Sequence, residues 1–500
     1  MGWDSGRKRR GAHISLPFIS ATRAISTQHL DSSIRDFASA LAVKQPCFQL
    51  SAQHVDVLTG PTDFYQRLLT IIRRAKKRLY LSSLYIGSSE HELINALHTS
   101  LRNNSDLHVY LTLDYNRSTR PGPSSPVLSL LPLLRDHGER VHVSFFRSPK
   151  LQGLMAKLVP PRFNEGWGTW HAKIYGSENE VMISGANLNK SYFTNRQDRY
   201  IHFQKQPKLA EYCFSFLGTI SQFSYRLRLS SGGGESYQLR WPESSPEPSC
   251  VHAAAQKALT QLQADYLAPP TTASSPSEGS ADDVMVMPII QAGQFQIREE
   301  ERCLDMLFEH LSSGGGGGTA HMDLTSGYFG LYEPYQRLLL RSRVGCDIIA
   351  AAPKANGFYG SRGISGLIPE GYTLLEQRFM RAVHAAGRGD TSTAQDQDGA
   401  VRLREWERDG WTYHAKGIWL SPTPTSAPVL TLFGSTNLNS RSAHLDTELS
   451  FVLATGSDAL RGRLREEVAG LKAHAGPWRG GERAVRARTR AIVGVVGGML

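Results

Sequence analysis

The sequence predicts an α/β protein of two homologous lobes, each a mixed sheet flanked by helices, packed about a pseudo-twofold axis around one shared cleft. Three observations carry this. His-Ala-Lys occurs at 171–173 and again at 414–416, each time followed by a strand-like run and then by Asn-Leu-Asn, at 187–189 and 437–439. A carboxylate lies eleven residues past the first Asn in both copies, Asp198 and Glu448. The strand and helix segments around the two copies follow the same order, and such repetition points to duplicated structure. At 500 residues the chain is also too long for one ordinary core.

The elements follow in chain order. In the first half, Arg78–Ile86 reads as a strand, Glu90–Leu101 as a helix, Leu107–Leu113 as a strand, Val127–His137 as a helix and Arg140–Phe146 as a strand. Trp170–Tyr175 and Glu180–Ser184 form a strand pair around a Gly-Ser-Glu-Asn turn. In the second half, His321–Tyr328 is a strand, Glu333–Arg341 a helix, Cys346–Ala351 a strand and Leu374–Ala385 a helix. Strands follow at Val401–Glu405, Trp411–Leu420 and Val429–Phe433. Strands alternating with helices predict sheets with covered faces. The loop Ser421–Pro428 lengthens the second hairpin, so the His-to-Asn distance differs between copies while the offset beyond Asn does not.

Composition sets the boundaries. Residues 1–45 are rich in Arg, Ser, Thr and Ala and poor in acids, the pattern of a mitochondrial targeting or disordered segment. The first lobe is expected over 46–230, with its motif region at 165–191, and the second over 285–470, with its motif region at 408–441. A partly disordered linker over 231–284 is rich in Pro, Ser and Gly. Residues 471–500 form a basic and apolar tail that either docks on an anionic membrane or packs on the second lobe. The net charge of +11 favours acidic partners: phosphates, nucleic acid or anionic lipid. Basic residues are not interleaved with an aromatic stripe, so no nucleic-acid partner is expected. The five cysteines are scattered and include no Cys-x-x-Cys. No run of about 18 apolar residues exists to span a membrane. Nucleotide-binding Gly-x4-Gly-Lys, the Gly-x-Ser-x-Gly elbow and His-Glu-x-x-His are absent.

On a strand, i and i+2 share a face, so His171 projects with Lys173 and His414 with Lys416, as do the Asn pairs. Histidine attacks phosphorus or shuttles a proton near neutral pH. The lysines, with Asn187, Asn189, Asn437 and Asn439 as amide donors, would stabilise a five-coordinate phosphorus carrying extra charge. Asp198 and Glu448 are the candidates to hold the second ring nitrogen of each histidine and fix its tautomer. The set suits phosphodiester cleavage or transfer with no metal and no cofactor.

These motifs resemble the phospholipase D superfamily, whose pattern is His-x-Lys-x4-Asp followed by Gly-(Gly/Ser)-x-Asn-x-Asn. The first copy carries Glu178 at the acid position and the second carries Ser421, so the second acid is missing. Ser184–Asn189, Ser191–Tyr200, Ala352–Phe358 and Tyr413–Trp419 are similar to the eukaryotic mitochondrial branch that makes phosphatidylglycerophosphate. The resemblance implies two phospholipase D-like lobes and transfer of a phosphatidyl group from CDP-diacylglycerol to glycerol 3-phosphate, in phosphatidylglycerol and cardiolipin synthesis. It implies a mitochondrial site, peripheral on the inner membrane. One of His171 and His414 would attack and the other act as acid and base; the symmetry of the copies does not decide which. Lys173, Lys416, Asn187 and Asn437 would hold phosphate oxygens, and Glu178 joins the catalytic set by its motif position. Arg196, Arg199 and Arg441 are candidates for a second substrate phosphate. A different acceptor, water as acceptor, or an inactive membrane-binding scaffold are the competing readings.

Overall fold

The computed structural model describes residues 27–122, 125–151, 164–230, 236–267, 283–313, 320–389 and 399–497. Two large mixed sheets form the lobes. In the first, β1 (Val55–Leu58), β2 (Arg78–Ser82), β3 (His108–Asp114), β4 (Val141–Phe146), β5 (Ile174–Ser177), β6 (Val181–Ser184) and β7 (Tyr200–Phe203) lie in the order β1-β7-β6-β5-β2-β3-β4. The second holds β8 (Asp283–Ala292), β9 (His321–Ser326), β10 (Gly345–Ala351), β11 (Val401–Trp406), β12 (Lys416–Ser421), β13 (Leu430–Gly434) and β14 (Glu448–Thr455). Their order is β8-β14-β13-β12-β9-β10-β11, the first order repeated strand for strand. In both lobes the three strands β2-β3-β4 and β9-β10-β11 are parallel and the others antiparallel. The duplicated α/β fold expected from the sequence is therefore present.

Each sheet buries one face under helices. In the first lobe Phe64, Leu68, Ile71 and Ile72 of the helix Pro61–Arg74 pack with Leu79, Leu81, Val109 and Leu111. That helix starts on proline, carries Asp63 in its first turn and ends on Arg73 and Arg74, an arrangement that suits its dipole. In the second lobe the helix Glu299–Ser312 opens on three glutamates and buries Leu304, Leu307, Phe308 and Leu311. The opposite faces of the two sheets share a continuous core, in which Phe203 of β7 meets Phe433 of β13 with ring centroids 6.2 Å apart.

Several boundaries move from their expected places. The helix Ser32–Lys44 is not a disordered leader: Asp31 caps it, and Ile34, Phe37, Ala38 and Leu41 are buried in the second-lobe core. Its apolar spacing outweighs its basic composition. Phe48–Ser51 then pairs with β8 at the edge of the second sheet. Residues 1–26, where the targeting signal was read, lie outside the described residues. Much of the expected linker is folded: Tyr237–Arg240 extends the first sheet, and Ala255, Leu259 and Leu262 of the helix His252–Tyr266 are buried in the shared core. Residues 231–235 and 268–282 of the expected linker lie outside the described residues. The tail packs on the second lobe, with Ala475–Pro477 beside β11 and Val485 and Val493 buried with Leu374. Among the described residues, no helix is long and apolar enough to cross a membrane.

Candidate active site

The two His-Ala-Lys segments do not lie within sheet strands as the alternation predicts. β5 begins at Ile174 rather than Trp170, and the run Trp411–Leu420 is broken at His414–Ala415. The reason is that each segment leaves its own sheet to pair with the opposite lobe. Thr447 N–H donates to Thr169 and His171 N–H to Thr447, both across the lobes (2.9 and 3.0 Å). Likewise Thr412–Tyr413 lies parallel to Arg196–Gln197, and His414 N–H donates to Gln197 (2.8 Å). A hydroxyl at the end of each central strand holds the segment from behind. Ser82 donates to the Ala172 carbonyl at 2.7 Å and accepts from the Trp170 indole at 2.9 Å. Thr325 lies 2.5 Å from the Tyr413 hydroxyl.

The consequence is a crossed pairing. His171 Nδ1 meets Glu448 of the second lobe at 2.9 Å to both oxygens, and His414 Nδ1 meets Asp198 of the first lobe at 2.7 Å. All four side chains are buried. With Nδ1 engaged, Nε2 is the nitrogen left to act on a substrate. Each histidine thus depends on the other lobe for its orientation.

Lys173 Nζ donates to the His171 carbonyl (2.5 Å) and Lys416 Nζ to the His414 carbonyl (2.9 Å). Burial lowers the pKa of both lysines, and Lys416 further depresses Lys173. His414 is held well below the ordinary histidine range by burial and then by the charges of Lys416, Arg196, Lys173 and His171. His171 is lowered by burial, against which Glu448 pulls it up. The two histidines and two lysines therefore share one electrostatic environment, as a single cleft requires. Gly185 keeps this space open: a Cβ there would lie 2.4 Å from Asp198 Oδ1 and 2.7 Å from Lys416 Nζ.

The remaining candidates separate. The Asn187 amide donates to the Tyr192 hydroxyl (3.1 Å), which sits 3.4 Å from His414 Nε2. Asn437 has a buried side-chain oxygen with no hydrogen-bond partner among the described residues, so its carboxamide has capacity to spare. Asn189 and Asn439 instead cap the short helices Lys190–Thr194 and Ser440–His444, accepting from Ser191 N and Ser442 N. Capping accounts for the side-chain oxygen of the second Asn of each motif. Glu178 is removed from the histidines, at the far end of β5. There it accepts the backbone N–H groups of Lys76, Lys77 and Arg78 and anchors the start of β2. Arg199 is also structural: it is buried, forks onto Glu467 at 2.8 and 2.9 Å, and stacks 3.7 Å from the Trp419 ring centroid. Arg196 donates to Thr412 and lies 4.5 Å from the Tyr192 ring centroid, beside His414. Arg441 pairs with Asp446 at 2.9 Å, two residues before Glu448.

Sequence reasoning missed the aromatic cover. Tyr192 and Tyr328 set their rings edge-on to His414, with centroids 5.2 and 5.3 Å away. It also missed Asp446, which binds the Thr169 amide and hydroxyl, and Ser442, which donates to Glu448 at 2.7 Å. Nothing in the spacing singled out these residues from other tyrosines and polar groups. His171, Asp446 and Glu448 lie close enough to suggest a metal triad, yet both acids are already engaged by protein donors.

Comparison with known proteins agrees with this geometry. No family model matches the chain. It is 34% identical to the "CDP-diacylglycerol--glycerol-3-phosphate 3-phosphatidyltransferase, mitochondrial" of Homo sapiens, over 84% of this chain and 78% of that one. It is 34% identical to the protein named "CDP-diacylglycerol--glycerol-3-phosphate 3-phosphatidyltransferase" of Schizosaccharomyces pombe, over 86% of this chain and 91% of that one. The fold matches phosphatidylserine synthase of Haemophilus influenzae with a TM-score of 0.65 at 18% identity, over 89% of this chain and 91% of that one. The duplicated lobes, the paired His-x-Lys segments and these similarities place the chain in the phospholipase D superfamily, within the CDP-diacylglycerol–glycerol-3-phosphate 3-phosphatidyltransferase family.

Proposed function

We propose that the chain transfers the phosphatidyl group of CDP-diacylglycerol to glycerol 3-phosphate through a phosphatidyl-histidine intermediate, supplying phosphatidylglycerol and cardiolipin synthesis at the mitochondrial inner membrane. The observation that carries this is the crossed pair of buried His–carboxylate dyads sharing one environment with two lysines. Nε2 of one histidine attacks the phosphorus that bears diacylglycerol. The bond from that phosphorus to the CMP oxygen breaks, and the second histidine gives CMP its proton. The second histidine then takes the proton of a glycerol 3-phosphate hydroxyl. That oxygen attacks phosphorus, and the P–N bond breaks to free the first histidine. Each step is a displacement at one phosphorus, and its added negative charge is met by Lys173, Lys416, Asn187 and Asn437. Arg196 of the first lobe and Arg441 of the second are the candidates for the second phosphate of either substrate. Histidine and lysine supply both the nucleophile and the charge, so the scheme invokes no metal.

The test is a product assay on the full chain, because the helix Ser32–Lys44 belongs to the core. CDP-diacylglycerol in detergent is mixed with labelled glycerol 3-phosphate and EDTA. Label entering lipid with equimolar CMP, lost in His171→Ala and in His414→Ala, is the expected result. CMP released without labelled lipid would assign a hydrolase or another acceptor.

A further inference from the structure

We propose that the loop Gly357–Ile364 is the surface by which this protein seats on a lipid bilayer, delivering the lipid substrate to the histidines. This rests on the reading that the substrate is a lipid. Among the described residues, the large exposed hydrophobics are Val43, Phe358 (37% exposed), Tyr359 (58%) and Ile364 (52%). Three of these four fall within seven positions of one loop, a clustering that scattered surface residues do not show. The loop is a built structure. Buried Asn356 fixes it by accepting the Tyr359 amide on its carbonyl (2.9 Å) and the Phe358 amide on its side chain (3.0 Å), and Ser361 N–H closes the turn on Phe358. Its apolar tips therefore project from a held backbone, and little conformational freedom is lost when they insert.

The loop also adjoins the cleft. The Phe358 ring lies 5.9 Å from the Tyr328 ring, and Tyr328 stands edge-on to His414. A Cβ at Gly357 would lie 3.1 Å from Arg196 Nη2, so the base of the loop touches the candidate substrate arginine. Arg362, exposed between Tyr359 and Ile364, has no ion-pair partner among the described residues. An aromatic, an aliphatic and an unpaired arginine at one tip match an interface of acyl chains below and phosphate above. A diacyl substrate leaving such a surface would enter beside His414.

The test is sedimentation of the full chain with vesicles of phosphatidylcholine alone or mixed with phosphatidylglycerol. Tyr359→Ser/Ile364→Ser should lower the partition onto both vesicles by about tenfold, the scale expected for losing two interfacial apolar side chains. Arg362→Glu should weaken binding only to the anionic vesicles, and added salt should erase that difference. Wild-type failure to bind vesicles, or equal binding by the double variant, overturns the proposal. A wild-type dimer in solution that the double variant abolishes, with vesicle binding unchanged, would assign the loop to a second copy instead. Turnover in detergent micelles, where no bilayer has to be reached, tests the proposed reaction separately.

Discussion

The His171–Glu448 half and the His414–Asp198 half are built on the same scaffold and carry different electrostatics. In the first, Glu448 offers both oxygens to His171 and accepts a further hydrogen bond from the Ser442 hydroxyl. Burial alone would raise its pKa, but His171 and Lys173 bring it down to about 2, so it stays ionised. In the second, Asp198 binds His414 through one oxygen, and burial raises it to about 6 despite Lys416. Lys416 also sits 2.8 Å from His414 Nδ1, where it opposes a positive ring, whereas Lys173 binds the His171 carbonyl. Two tyrosines cover His414. Duplication thus fixed where the groups stand, and neighbours set how each half holds its protons. A reaction that needs one neutral and one proton-donating histidine is served by such unequal halves.

The largest expected effect tests whether the halves act as one unit. His171→Ala and His414→Ala should each lower kcat by about 10^4, and the double variant little further, because groups that act together are not additive. Independent, multiplying losses in a steady-state assay would break the account. Next is the cross-lobe ion pair beside Asp198, from Arg199 to Glu467. Arg199→Met leaves the buried Glu467 carboxylate without its cation, with the Trp419 indole still donating to it, and should cost about 3–5 kcal/mol of unfolding free energy in a denaturant titration. At the matching offset the other half carries Leu449; its nearby Arg441–Asp446 pair lies within one lobe, with Arg441 partly exposed and the buried Asp446 also held by the Thr169 amide and hydroxyl, so Arg441→Met should cost less stability.

A smaller effect concerns pH. As pH falls through about 6, Asp198 takes up a proton while Glu448 remains charged, so only the His414 half loses its ionised partner. The acid limb of kcat/KM should lie near pH 6, and Asp198→Asn should flatten it at a lower overall rate. A limb unchanged in that variant would assign it to another group. The smallest effect checks that Glu178 stands outside both halves. Glu178→Gln weakens the acceptor of three backbone amides and should cost about 1–2 kcal/mol of stability with turnover unchanged. Partial burial raises the Glu178 pKa, but the amides of Lys77, Arg78 and Lys76 outweigh it and hold it low.

The doubled sheet order was legible because apolar runs and turn signals repeat in register along the chain. Helix Glu333–Arg341 falls where the pattern places it. The dyads were legible as residues but not as partners. A carboxylate eleven residues past Asn fits pairing within a lobe as well as across, and only the tertiary exchange of segments 169–171 and 412–414 decides. The capping role of Asn189 and Asn439 had a local signal: Asn immediately before a short helical stretch is a cap. The helix Ser32–Lys44 was obscured by arginines and serines around it, although Ile34, Phe37 and Leu41 keep helical spacing. The His321 cluster shows the same limit: burial lowers its pKa, but Asp323, at i+2 on the same strand face, joins Asp347 from the neighbouring strand and together they raise it to about 9.

The stereochemical course at phosphorus tests the central claim most directly, using CDP-diacylglycerol made chiral at the reacting phosphorus. Two successive in-line displacements through a histidine predict overall retention in the phosphatidylglycerophosphate product. Inversion would mean that glycerol 3-phosphate attacks directly, and would contradict the shared use of the two halves.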